Sequence, residues 1–316
     1  MAQRKPSIPQ FLNRKIYKTG QTRGADDDQI FQNRVNRNST VLIPFNIWEK
    51  IPIVRDIEYE NEFIVLISPN EYNSESYSKY SNLKLGDNML IFYELREDWI
   101  KMNPKKLGLK EPNSRKGLLG GDFVARIANT TSSKDKRINV GYSSTGLKGA
   151  GIRQYEYADS ETTKNCRVQL EWLFWSSLNS EKAMLESGME KKEIALRKEL
   201  NKKDASEANL IDKDSLYENN IIDEDLHTIC PLCREKINAE GFLSRLSQAT
   251  GREKHDLTVT EINLFHIKEL SYDRLLHKPY NLGWGHHHCN VVIADNGIDD
   301  TIEWMKEVIE RNDLKR

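Results

Sequence analysis

The 316-residue chain has no apolar run near the roughly 18 residues that a membrane-spanning helix needs. The segment from Met1 to Lys18 also lacks the apolar core of a secretory signal peptide, so we expect a cytoplasmic protein that does not enter a membrane. Four cysteines are too few for a disulfide scaffold in a chain of this length. Two of them form a Cys-x-x-Cys motif, which in a cytosolic protein favours metal or redox chemistry.

An overall excess of one charge is also absent, since the formal net charge is −1. The average conceals two basic regions separated by acidic ones. Residues 1–40 carry eight Lys and Arg against three Asp, and residues 101–180 carry fourteen basic against seven acidic residues. These regions predict a surface that binds a polyanion locally, although ordinary fluctuation along a chain with 30% charged residues explains the pattern equally well.

Candidate DNA-contacting side chains lie in both basic regions. A short helix capped by Asp26, Asp27 and Asp28 is expected near the N-terminus, in a stretch dense in the Gln, Arg and Asn side chains that pair with base edges. A glycine-rich loop over residues 139–153 can bring backbone N–H groups close to phosphates. The candidates are Arg23, Asn33, Arg34, Arg37, Lys148 and Arg153. A solvated helix and a plain mobile hairpin remain the alternatives.

The middle of the chain shows short β-type runs separated by Pro, Gly, Asn and Ser clusters, which predict a β-rich domain over residues 41–178. The predicted strands are Val41–Phe45, Glu62–Ile67, Asn88–Tyr93, Asp122–Ile127, Arg137–Tyr142 and Arg167–Trp175. The last run fits a helix equally well. Residues 179–203 predict a helix whose Met184, Leu185, Met189, Leu196 and Leu200 lie near one face. Residues 179–226 therefore form a linker, a packing arm or a dimerisation segment.

Metal-ligating residues are concentrated in the last 90 residues. Cys230 and Cys233 form the Cys-x-x-Cys, and His286 and Cys289 repeat the same spacing after 52 intervening residues. Three thiolates and one imidazole suit tetrahedral zinc. The strand–helix setting of a redox Cys-x-x-Cys is missing. We therefore predict a structural zinc site.

The segment between the two halves of this site resembles the zinc-bound HNH (ββα-metal) nucleases. His266 is followed by an aliphatic residue at the end of a predicted strand, and Asn281-Leu282 leads into His286-x-x-Cys289-Asn290 at the family's spacings. The pattern departs from the family in three places. Gly285 replaces Leu, His286 replaces the first Cys, and Phe265 stands where many members carry a second metal-ligating Asp or His.

The chemistry of phosphodiester cleavage suggests a role for each of these residues. Neutral His266 can accept a proton from the attacking water near neutral pH, so it is the predicted general base. The resemblance implies that Asn281 braces the loop that orients this histidine. It also implies that Asn290 holds a hard cation such as Mg²⁺ through its amide oxygen. The sequence does not identify a second protein ligand for that cation.

Taken with the resemblance, these features predict an α+β protein of four parts. They are a basic arm (1–40), a β-rich DNA-recognition domain (41–178), a helical segment (179–226) and a zinc-bound HNH nuclease domain (227–316). A predicted helix from Asp299 to Glu310 should pack behind the site. The start of the chain, from Lys15 to Asp26, looks like the BstXI-type restriction enzymes.

The resemblance implies a type II restriction endonuclease that binds double-stranded DNA. Cutting both strands with one nuclease motif per chain favours a homodimer. The contact candidates are the 179–203 helix and the β-region before it. A monomer that nicks each strand in turn remains open. So do two other functions, a modification-dependent HNH endonuclease and a non-catalytic zinc-stabilised DNA-binding protein.

Overall fold

The computed structural model describes residues 4–17, 40–60, 62–111, 121–127, 138–140, 152–244, 260–294 and 296–312. Within these ranges, every helix is too short or too polar to span a bilayer.

The chain divides into two compact units by its internal contacts. Gly20–Ser160 and Ser271–Leu275 form the sheet unit, and Met1–Thr19, Glu161–Leu270 and Leu276–Arg316 form the hairpin unit. These units do not coincide with the four expected parts. Residues 161–226, expected partly in the β-rich domain and partly in a linker, pack into the core of the hairpin unit.

The sheet unit contains a six-stranded sheet in the order β5-β4-β3-β2-β1-β6. Five strands are parallel, and β5 runs antiparallel to β4. The strands are β1 (Val41–Pro44), β2 (Phe63–Ile67), β3 (Met89–Tyr93), β4 (Phe123–Ile127), β5 (Ile138–Val140) and β6 (Ile152–Arg153). Five of the six predicted strands are therefore confirmed, and β6 was not predicted.

Short helices follow the parallel strands, so this part of the chain is a mixed α/β structure with a mainly parallel sheet, which is consistent with the expected α+β class. The helices are α2 (Phe45–Lys50), α3 (Pro52–Asp56), α4 (Pro69–Asn73) and α5 (Arg96–Lys101). A crossover connection is needed because parallel neighbours cannot be joined by a tight hairpin. The near-continuous apolar runs of β2 and β3 have the composition of strands that are buried on both faces.

Alternate residues of these strands form two separate apolar clusters, as the two-residue period of a strand requires. Val65, Ile67 and Ile91 belong to the larger cluster, and Ile64 and Leu90 to the smaller one. The indole of Trp48 is buried in the larger cluster. The indole therefore contributes to the core of the sheet unit.

The hairpin unit is mainly helical. Its helices are α1 (Gln10–Tyr17), α6 (Ser160–Trp175), α7 (Ser180–Glu186), α8 (Lys191–Glu207), α9 (Lys213–Glu218), α10 (His287–Ile293) and α11 (Ile298–Arg311). The predicted strand Arg167–Trp175 is wrong, and the alternative helix is confirmed. Leu170, Leu173 and Phe174 of α6 are fully buried, at the three- and four-residue spacing of a helix.

The predicted helix over residues 179–203 is two helices. The chain turns at Gly188, whose φ of +91° favours glycine. Met184 and Met189, expected to need a partner chain, are buried in the core of their own unit. These two methionines therefore do not form a dimer surface.

The C-terminal part of the unit contains an antiparallel hairpin followed by two helices. Strand β7 (Ile262–His266) pairs with β8 (Leu282–His286), and His266 lies opposite Leu282. Helix α10 packs against both strands, and α11 packs against α10. The indole N–H of Trp284 donates to the backbone oxygen of Leu170 at 2.9 Å, which fixes the hairpin on α6.

Candidate metal centre and hydrolytic site

The four predicted zinc ligands are brought together at one end of the hairpin. Cys230 and Cys233 lie on a tight turn in which the N–H of Arg234 donates to the Cys230 oxygen at 2.9 Å. His286 ends β8, and Cys289 lies in α10. The four ligand atoms lie within 4.8 Å of one another, and His286 Nδ1 lies 3.2 Å from Cys233 Sγ. Three thiols and an imidazole at this spacing fit tetrahedral zinc.

The protonation of this cluster also suits a cation. Burial opposes ionisation of the Cys230 thiol, but hydrogen bonds from His286 and from backbone N–H groups outweigh it and lower its pKa to about 6. The same contact with Cys230 raises the pKa of His286. Burial and the neighbouring thiols raise the pKa of Cys289. Ionised thiols this close together repel one another, and a bound cation would offset that repulsion and favour the thiolate forms.

A second group of possible ligands is already neutralised by a lysine. Asp223, Asp225 and His227 hold their ligand atoms within 4.8 Å of one another. Lys236 Nζ lies 3.0 Å from Asp223 Oδ2 and 3.1 Å from His227 Nδ1. The ammonium group supplies the positive charge that these carboxylates need, so we assign no metal to this group.

His266 is placed at the end of β7 in a half-buried position. Burial lowers the pKa of its imidazole to about 4. The ring is therefore neutral at physiological pH and can accept a proton, as a general base must.

Asn281 holds the loop between the two strands. Its amide oxygen accepts from the N–H of Lys268 at 2.7 Å, and its amide nitrogen donates to the oxygens of Lys268 and Leu276 at 3.0 and 2.8 Å. The side chain is buried, and every contact is to backbone. This geometry matches the bracing role that the resemblance implies.

The loop contains a second histidine that sequence reasoning missed. His277 is buried, and its Nδ1 lies 3.3 Å from Nε2 of His266. The two rings are tilted at 59° with centroids 5.5 Å apart. The sequence carries little sign of this contact, because His277 comes eleven residues after His266 in an irregular segment and falls at no motif position. Its position four residues before Asn281, which holds the same loop, was the available signal.

Two departures from the family pattern, Phe265 and Gly285, lie against each other, and the absence of a side chain at position 285 makes room for the Phe265 ring. Phe265 is fully buried because it points to the opposite face of β7 from His266. A Cβ on Gly285 would lie 2.5 Å from Cδ2 of the Phe265 ring. Glycine therefore stands at position 285 because Phe265 fills the space that a side chain there would occupy.

Asn290 lies half-buried in α10, which begins directly after β8. The start of α10 is tied to β7 by the N–H of His287, which donates to the oxygen of Glu261 at 2.7 Å. Among the described residues, no hydrogen bond engages the Asn290 side chain. Within this described part of the chain, its amide oxygen thus has no hydrogen-bond donor that would compete with a cation.

Of the candidate DNA contacts, Arg23, Asn33, Arg34, Arg37 and Lys148 lie outside the described residues. Arg153 ends β6 and donates from Nη1 to the Tyr155 hydroxyl at 2.9 Å. It lines a cavity of about 630 Å³ at the carboxyl ends of the parallel strands. The other lining residues are Pro44, Phe45, Asn46, Leu66, Ser68, Glu71, Phe92, Glu94, Tyr155 and Tyr272. Ligands of open α/β sheets commonly bind at this edge.

Comparison with known proteins identifies the family. The family model described as BstXI restriction endonuclease matches residues 14–287, which is most of the chain. The chain therefore belongs to the BstXI restriction endonuclease family. No curated protein matches it.

Among solved structures, the chain is similar to one described as "Crystal structure of a type II restriction endonuclease", with 15% identity and a TM-score of 0.29. That similarity covers 51% of this chain and 56% of the other, so it spans little more than half of that protein.

Proposed function

We propose that this protein is a type II restriction endonuclease that hydrolyses double-stranded DNA at a specific sequence with His266 as general base. One observation carries the chemical part of the proposal. A neutral histidine ends a strand of a ββα hairpin whose connecting loop is braced by Asn281 and whose opposite end carries a Cys₃His cluster. Membership of the BstXI family supports DNA as the substrate.

The contact between the two histidines indicates which ring nitrogen takes the proton. His266 Nε2 faces His277 Nδ1 at 3.3 Å, so Nδ1 is the nitrogen left to accept a proton from water. For this, Nε2 must carry hydrogen and donate to His277, because a neutral imidazole has one donor and one acceptor. His277 is then a positioning residue that holds the ring and its tautomer.

Asn290 is the proposed protein ligand of the catalytic Mg²⁺. Its amide oxygen is of the kind that this cation binds, and the cation keeps several waters when few protein ligands are present. When bound, Mg²⁺ would neutralise charge on the phosphate and on the leaving oxygen. Asn281 remains a positioning residue, since its polar atoms are used by the loop.

We assign a structural role to zinc at Cys230, Cys233, His286 and Cys289. The cluster joins the 230–233 turn to the end of β8 and the start of α10. A cation here would hold the hairpin and helix that carry His266 and Asn290, and structural zinc sites contribute directly to folding.

The sheet unit and the basic N-terminal region are the proposed recognition elements. Arg153 is the one described candidate, and its guanidinium is held beside Tyr155 and Glu156 at the edge of the sheet. Because one chain has a single hairpin site in its described part, we also propose a homodimer for cutting both strands.

Digestion of unmodified phage or plasmid DNA with Mg²⁺, followed by sequencing of the ends, tests the proposal. Wild-type protein should give discrete fragments, and His266→Ala should bind the same site without cutting it. His227→Ala is the matched control, since this partly exposed histidine of the same unit pairs with Asp223 and Lys236. Cleavage by His266→Ala near the wild-type rate would exclude His266 as the base.

The cavity in the sheet unit favours a second candidate, a modification-dependent endonuclease. It is bordered by aromatic rings, including those of Phe92, Tyr155 and Tyr272, and by Glu94, whose pKa is raised by burial. A base turned out of a duplex needs such a pocket. Fragments from modified DNA alone would select this candidate. Sequence-specific binding without cleavage of either DNA would select a non-catalytic zinc-stabilised protein.

A further inference from the structure

The strand order of the sheet unit reverses at β1. The chain passes outward from β1 through β2 and β3 to β4, whereas β6 lies on the other side of β1. Ligands of open α/β sheets bind beyond the carboxyl ends of the strands at such a point. The cavity of about 630 Å³ lies there, since Pro44 ends β1 and Arg153 ends β6, and all its lining residues belong to the sheet unit. We call it the switch-point cavity. Its volume is within the range of about 300–1,000 Å³ that is usual for small-ligand pockets.

The apolar part of the lining suits a flat aromatic ligand. Leu66 and Phe92 are buried members of the smaller apolar cluster of the sheet. Tyr155 and Tyr272 are half-buried, and their rings meet edge to face with centroids 5.0 Å apart and an interplanar angle of 86°. Because the two rings are only half-buried, part of their surface is accessible from the cavity. Nucleic-acid bases stack on aromatic rings that are accessible in this way.

The polar side chains of the lining fall into two groups. Ser68 and Glu71 satisfy each other, since Ser68 Oγ donates to Glu71 Oε2 at 2.7 Å in the capping box of α4. In the part of the chain that the structure describes, no hydrogen bond or ion pair engages the side chains of Asn46 and Glu94. An ionised carboxylate accepts hydrogen bonds and cannot donate them. The carboxylate of Glu94 therefore suits the amino group of adenine, cytosine or guanine, which thymine lacks.

The basic residue of the lining lies across the sheet from Glu94. Arg153 ends β6 and Glu94 directly follows β3, and these strands are three positions apart, or about 14 Å across the sheet. The guanidinium of Arg153 is held by the Tyr155 hydroxyl at 2.9 Å and by Glu156 at 3.9 Å. Guanidinium groups are well suited to phosphate. The cavity thus has an acceptor for a base on one side and a cation for a phosphate on the other.

We propose that the switch-point cavity binds a single nucleotide, with its amino-bearing base against Glu94 and its phosphate toward Arg153, and that this nucleotide is turned out of the bound duplex. The inference rests on the proposed function, because that function supplies the DNA. It adds a recognition step in which one ordinary base of the target is read outside the helix. The contacts in the cavity offset the cost of unstacking and unpairing that base.

An abasic scan tests extrusion by binding alone. Duplexes selected for binding to the full-length His266→Ala protein without Mg²⁺ are remade with one abasic residue at a time, and each dissociation constant is measured. Removal of the base opposite the extruded nucleotide abolishes the cost of unpairing, so binding should tighten at least about fivefold there. Removal of the extruded base itself should weaken binding. A scan in which no abasic position tightens binding would overturn the proposal.

Deletion of one amino group tests the contact with Glu94. At the position found by the scan, with the opposite base still absent, the base is replaced by its analogue without the amino group. The analogues are hypoxanthine for guanine, purine for adenine and 2-pyrimidinone for cytosine. Binding to the His266→Ala protein should weaken about tenfold, whereas the protein that also carries Glu94→Ala should bind both duplexes equally.

Glu97→Ala in the same background is the matched control. Glu97 is an exposed carboxylate three residues after Glu94 that pairs with Lys101 and does not line the cavity. This variant should lose the same affinity with the analogue as its parent does. Both variants should keep the parent's melting temperature, since each replaces a solvent-accessible side chain. A Glu94→Ala protein that responds to the analogue as its parent does would refute the contact.

Free mononucleotides distinguish the source of the ligand. GMP, AMP, CMP and TMP should leave the complex with the duplex intact up to millimolar concentrations, because a free nucleotide lacks the other contacts that the duplex makes. Displacement of the duplex by a micromolar mononucleotide would assign the cavity to a free ligand and overturn DNA as its source.

Cleavage measured in parallel separates this inference from the proposed function. Specific cutting by wild type, together with an abasic scan that shows no tightening, would refute extrusion alone. A scan with a tightening position, together with a wild type that never cuts DNA, would refute the nuclease function alone.

Discussion

The fit between Gly285 and Phe265 predicts that Gly285→Ala destabilises the hairpin unit. The new Cβ would lie 2.5 Å from one carbon of the Phe265 ring, where carbon atoms normally stay about 3.5–4.0 Å apart. The ring must therefore move by about 1 Å, yet it is fully buried. Overpacking of this kind costs about 1–3 kcal/mol. We expect a loss of that size in the free energy of unfolding, measured by urea denaturation of the zinc-loaded protein.

Gly283→Ala, in the same strand, is the control. A Cβ there would meet Ile221 and Ile267 no closer than 3.7 Å, which is ordinary van der Waals contact. Phe265→Leu should make Gly285→Ala less harmful, so the double variant should lose less stability than the two single losses added together. Equal losses for the two alanine variants, or strict additivity with Phe265→Leu, would refute this account of the hairpin.

Three further predictions concern the site. Since the folded pKa of His266 is about 4 against an ordinary 6.5, neutral His266 supports stability above pH 6.5 and that support is lost as pH falls toward 4. The free energy of unfolding of His266→Gln should therefore fall less than that of wild type between pH 7 and 5, and parallel curves would contradict this. His277→Phe should lower kcat by about a hundredfold with KM for DNA nearly unchanged and should shift the acid limb of the pH–rate profile, while His277→Asn, which retains an acceptor, should recover part of the rate. Full activity of His277→Phe would remove its positioning role. Cys230→Ser and Cys289→Ser should lower bound zinc and the melting temperature together, whereas Cys166→Ser, at a buried cysteine outside the cluster, should leave zinc content unchanged; metal analysis of the purified proteins decides this.

Local sequence patterns were sufficient to predict most strands of the sheet and the four residues of the Cys₃His cluster. Strands β1 to β4 could be recognised from their apolar runs, because a strand that is buried on both faces needs consecutive apolar residues. The spacings from Cys230 to Cys289 predicted a cluster that the structure brings together. A short-range spacing is set by the chain itself, so it can be recognised without knowledge of packing.

How distant apolar segments pack against one another was decided only by the tertiary structure. The run Arg167–Trp175 is compatible with both periods, and burial of three residues at helical spacing settled it as helix. Met184 and Met189 have the same apolar character as Ile302 and Ile309, yet the first pair lies in a core and the second is exposed. Sequence gives each side chain its polarity, but what covers it depends on how remote elements pack.

The same limit applies at the site. The sequence by itself predicted that His266 ends a strand and that Cys230, Cys233, His286 and Cys289 form one group. Only the fold could place His277 3.3 Å from His266 and Phe265 against Gly285. Those contacts depend on the path of an irregular loop and on the pairing register of β7 with β8. Neither is encoded in the spacing of a motif, because both result from packing that involves the whole hairpin unit.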